Sequence, residues 1–76
     1  MNKLRRKALA EIMERLEEIK ADLETVLEEE QEAMDNTPES LWGSERYERM
    51  EEAVSNMEDA VSGLEDAISS IECAAE

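Results

Sequence analysis

From Leu9 onward the apolar residues of the first half recur as Leu9, Ile12, Leu16, Ile19, Leu23 and Val26, alternating steps of three and four, and the register runs on through Glu30 to Ala33. That alternation is the seam of a heptad-patterned helix. Met13, Leu27 and Met34 each follow a seam position by one residue and widen the stripe toward the broader face of a helix in a bundle. The second half repeats every seven residues, as Glu51-Glu-Ala-Val-Ser-Asn-Met57, Glu58-Asp-Ala-Val-Ser-Gly-Leu64 and Glu65-Asp-Ala-Ile-Ser-Ser-Ile71, with a partial fourth copy from Glu72. In that frame Tyr47, Val54, Val61, Ile68 and Ala75 fill one core position, and Met50, Met57, Leu64 and Ile71 fill the other. Ala53, Ala60, Ala67 and Ala74 flank them on one side, and Glu51, Glu58, Glu65 and Glu72 on the other.

Between the patterned stretches lies Asp35 to Ser44, which contains the sole proline and one of the two glycines. Thr37-Pro38 suggests a helix cap followed by proline at a first helical position, Gly43 a stop, and Ser44 the cap of the second long helix. The expectation is one all-α domain, 1–76: an antiparallel helical hairpin with helices near residues 3–35 and 44–75, joined by a loop over 36–43. Trp42 and Leu41 are expected to plug the loop end. A hairpin of this size leaves part of each stripe uncovered, so self-association is expected. Met13, Leu27 and Met34 would pack with Ala53, Ala60 and Ala67 of a second copy to form a four-helix-bundle homodimer. A trimer, or docking of a foreign helix, would use the same residues.

Composition narrows the function. Eight Lys and Arg against 22 Asp and Glu give the 76-residue chain a net charge of −14, which disfavours direct nucleic-acid binding and favours a partner with a basic surface. There is no histidine and a single cysteine, Cys73, so the sequence offers no zinc set, disulfide framework or nucleophile–histidine couple. The expectation is a protein that is not an enzyme and takes no cofactor and no metal. Carboxylates such as Glu11, Glu14 and Glu18 share a helix face, but the acid in the core register is Glu30 alone, unlike the inward-pointing sets of di-metal bundles. Glu30 suits an end-layer charge near Arg46 or Arg49, and Cys73 an outward-facing bystander. With no apolar run of about 20 residues and no signal-peptide pattern, the expected setting is cytoplasmic, without membrane contact.

Charge placement favours the antiparallel pairing. Lys3, Arg5, Arg6 and Lys7 open the first helix and Glu28, Glu29, Glu30 and Glu32 close it, each opposed to its own helix dipole. Folding should bring the basic start to Glu65, Asp66, Glu72 and Glu76, and Arg46 and Arg49 to the Glu28–Glu32 run. Trp42 is a candidate interaction hot spot by residue type. Glu51, Glu52, Glu58, Asp59, Glu65 and Asp66 form the candidate partner-binding surface, in a stretch from Met50 to Glu76 that contains no Lys or Arg. Spread over a hairpin about 48 Å long, the net charge amounts to about one per 3.4 Å, and pairing two hairpins moves it toward the density of duplex DNA.

The stretch Asn36-Thr-Pro-Glu-Ser-Leu-Trp-Gly-Ser-Glu-Arg-Tyr47, with its flanking acidic heptads, resembles small uncharacterised acidic helical-hairpin proteins carried by phages and mobile elements of Firmicutes. The resemblance implies a mobile-element setting in which small acidic proteins counter host defence, in the style of anti-CRISPR and anti-restriction DNA mimics. Three functions follow as expectations. The first is an inhibitor that occludes a basic groove of a nucleic-acid-handling host protein. The second is a coiled-coil module that assembles or docks a helix through its apolar stripe, and the third is a small-molecule sponge using Trp42 or Tyr47.

Overall fold

Two polar side chains set where the long helices begin. In the computed structural model, which describes residues 1–76, Asn2 Oδ1 accepts from the Arg5 amide at 2.8 Å and Ser44 Oγ accepts from the Tyr47 amide at 3.2 Å. Each bond satisfies an amide that the first helical turn leaves without a partner. Helix α1 spans Lys3–Asp35 and helix α2 spans Glu45–Ala74; they pack against one another as a hairpin with no strands.

The reversal is made locally. Thr37 does not cap a following helix; its amide donates to the Met34 carbonyl and its hydroxyl to the Ala33 carbonyl, so it closes α1 instead. Pro38, at φ −59° and ψ 143°, precedes a single 3-10 turn over Glu39–Leu41, and Gly43 at φ +88° turns the chain into Ser44. That left-handed conformation disfavours any side chain, which accounts for the glycine. Trp42 leans on the end of the hairpin and does not plug it: it is 52% exposed, Leu41 is 53% exposed, and the Trp42 ring stacks on Tyr47 with centroids 6.0 Å apart. Trp42 Nε1 donates to the Thr37 carbonyl at 3.1 Å, tying the turn together.

The seam on α2 is the one its heptads predict, from Tyr47 to Ala75, with Val54 and Ile68 the two buried residues of the chain. On α1 the structure corrects the expectation. Leu9, Leu16, Leu23 and Glu30 face inward together with Met13, Lys20, Leu27 and Met34, while Ile12, Ile19 and Val26 stay 38%, 53% and 51% exposed. Met13, Leu27 and Met34, expected at an interface between copies, therefore serve the hairpin's own seam; Met34 shares a cleft with Val54. Lys20 interrupts that inward column: it is half-buried, and its ammonium reaches the rim, 3.9 Å from Glu24 and 3.3 Å from Glu65.

The contacts of Lys20 with Glu65 and of Met34 with Val54 mark the register. One turn up α1 is one turn down α2, so the end of α2 comes level with about Ala10–Ile12. Two turns at the start of α1 have no helix beside them, which is why Leu4 is 79% exposed. The molecule is a rod of 59 × 15 × 13 Å.

The two glycines should respond oppositely to alanine. A Cβ at either meets nothing within 4 Å, so conformation alone decides. Gly43→Ala should cost about 1 kcal/mol and Gly63→Ala, mid-helix, should stabilise by a similar amount. Thermal melts followed by circular dichroism should move by about 4–8 °C in opposite directions.

Candidate protein-interaction faces

An antiparallel pair has two flanks. When one helix is reversed with its seam still facing its partner, residues that precede the first seam position on both helices share one side of the hairpin, and residues that follow the second share the other. The contacts agree with this geometry. Glu17, Lys20, Glu65, Ile68, Ser69 and Glu72 line one cleft, and Ala33 and Arg46 line another at the loop end.

The first flank is apolar. It carries Ile12, Ile19, Val26 and Ala33 from α1 beside Ala74, Ala67, Ala60 and Ala53 from α2; Ala53 is half-buried, and Ala60 and Ala67 are exposed. The predicted alanine column thus lies on an open surface, but its companions are the isoleucine and valine column and not Met13, Leu27 and Met34. At the loop end this flank runs into a cleft of about 270 Å³ whose apolar lining includes Ala33, Pro38, Leu41, Tyr47 and Met50.

The opposite flank is acidic. Glu51, Glu58, Glu65 and Glu72 run along α2, with Glu17 and Glu24 across from them on α1, and Lys20 is the cation between. Glu52, Asp59 and Asp66 occupy the next column of α2, directed away from α1, and all six predicted partner-binding carboxylates are exposed. Lys20 escapes notice in the sequence because it interrupts an apolar column; its place seven residues from both Met13 and Leu27 is the signal that locates it.

The helix ends do not pair as expected. Arg49 bonds to Glu45 one turn earlier on its own helix, and Lys20–Glu65 is the ion pair that crosses between the helices. Lys3, Arg5, Arg6 and Lys7 lie mostly beyond the end of α2, on the unaccompanied turns of α1, which separates them from the acids they were expected to meet. Trp42 and Tyr47 stack on one another, and Tyr47 also lines the cleft at the loop end. No group of three or more Cys, Asp or Glu side chains is placed to hold a metal ion, Cys73 is exposed, and no helix is long and apolar enough to cross a membrane.

The like charges facing each other across the acidic flank should make the fold salt-sensitive. Raising NaCl from about 10 mM to about 0.5 M should raise the melting temperature by screening Glu17, Glu24, Glu65 and Glu72. Lys20→Gln should melt below the wild type at low salt, and the gap should narrow at high salt; a gap of constant size would assign the contribution of Lys20 to its stem alone. Compared with known proteins, the chain matches no family model, no curated protein and no solved structure.

Proposed function

We propose that this chain is a non-enzymatic binding protein that acts as a four-helix-bundle homodimer and lays its carboxylate surface into a basic groove of a nucleic-acid-handling protein, excluding nucleic acid. An inhibitor carried by a phage or mobile element and working in the host cytoplasm is the setting this reading suits. The observation that carries it is the segregation of the two flanks. The carboxylates Glu51, Glu52, Glu58, Asp59, Glu65 and Asp66 all lie off the apolar flank, so covering that flank leaves every one of them exposed, Glu65 in its pair with Lys20. They come in adjacent pairs, one pair per heptad, about 10.5 Å apart along α2. Such an array steers a cationic partner and holds it through contacts that salt weakens.

A second reading rests on the exposure of Ile12, Ile19 and Val26, which fits a module that docks a partner helix by its apolar flank and uses acidity for solubility. One experiment separates the two. Immobilised wild type and the Glu51→Lys, Glu52→Lys, Glu58→Lys, Asp59→Lys variant, which leaves the Lys20–Glu65 pair intact, are exposed to lysate of the cells that carry the protein and eluted by stepwise salt. Occlusion predicts a nucleic-acid-binding protein that moderate salt or added duplex DNA releases from the wild type and that the variant does not retain. A partner held equally by the variant and resistant to salt would overturn it, and loss of that partner on Ile19→Asp would establish the apolar reading.

A further inference from the structure

We propose that a second copy of this chain covers the apolar flank in antiparallel orientation, α1 on α1 and α2 on α2, so that the basic start of each copy lies over the loop end of the other. The inference deepens the homodimer above and rests on it. A twofold axis crossing the hairpin near its middle places Ile19 opposite Val26 of the second copy and Ile12 opposite Ala33. The same axis pairs Ala60 with Ala67, where small side chains let the α2 helices approach closely. It brings the overhanging turns of α1, where Arg5 continues the column of Ile12, level with Leu41 of the other copy and the cleft at Ala33, Pro38, Tyr47 and Met50.

Charge selects this orientation over its alternative. An axis along the rod would also join the apolar flanks, but it would bring two copies of Lys3, Arg5, Arg6 and Lys7 to one end and two Glu-rich loop ends to the other. The crossing axis sets each basic overhang beside a loop end of its partner where Asp35, Glu39, Glu45 and Glu48 outnumber Arg46, which lines the cleft, and Arg49, which is paired with Glu45. The area is sufficient. The strip from Ile12 to Ala33 is about 32 Å long on a hairpin 15 Å across, roughly 960 Å² over both copies, and the overhangs bring it past the ~1,000 Å² that a biological interface needs.

The test uses the whole chain. Sedimentation should give twice the 8.7 kDa chain mass, and Ile19→Glu, outside the hairpin seam, should reduce it to the monomer with its helical signal kept. In a Cys73→Ser chain carrying Ser40→Cys, spin labels at the loop tips should lie about 50 Å apart. A separation near about 20 Å, the width of a bundle, would show the parallel arrangement and overturn the proposal. Arg5→Glu with Arg6→Glu should weaken the dimer about tenfold at low salt, and the loss should fade at high salt; an unchanged dimer would count against the overhang contact. A monomeric wild type that still holds its partner through the carboxylates would overturn this arrangement and leave the acidic-surface reading standing.

Discussion

Two helices in contact make one shared seam, and each remaining property of this molecule depends on which column of α1 enters it. Leu9, Leu16, Leu23 and Glu30 enter in either case; the choice lies between their neighbours on the two sides. Placing Met13, Lys20, Leu27 and Met34 inside puts a lysine where a hydrophobe would pack better. It also lets that lysine lie among Glu24 and Glu65, on a flank with no other cation. Its long aliphatic stem still covers apolar surface at that position while its ammonium sits between two carboxylates.

That choice sorts the surface. With the isoleucine and valine column outside, it falls beside the alanine column of α2, and the hairpin becomes a rod with one greasy and one charged side. Two residues are buried in the whole chain, so the seam alone gives a thin core, and the apolar flank holds the hydrophobic area that a thicker core would have used.

The helical hairpin was legible because its signals are local and periodic: the seven-residue repeat of α2, the cap Ser44, and Gly43 at the reversal; the Asn2 cap of α1 came only with the structure. The inward column of α1 was not. Ile12, Ile19 and Val26 are more hydrophobic than a column interrupted by Lys20, and reading α1 by itself favours them. The decision belongs to the partner helix, whose Glu65 rewards the lysine and whose alanines lie beside the isoleucines. The basic start of α1 misled in a similar way, since its charges oppose those at the end of α2 in sequence but the register carries them past it. The six carboxylates of α2 could be placed from the heptad frame alone.

The repetition of α2 has a cost in addressing. Sliding α2 by one heptad along α1 would offer Lys20 a Glu58 or Glu72 in place of Glu65 and present the seam with nearly the same Val, Ile, Met and Leu positions, because the repeat makes successive segments almost interchangeable. The seam therefore distinguishes weakly among alignments about 10.5 Å apart. What forbids the slip is the short reversal, closed by Thr37 on Ala33, by Trp42 on Thr37 and by Gly43. The turn is thus the origin from which positions along both helices are counted, and lengthening it by a few flexible residues would turn one structure into a set of shifted ones.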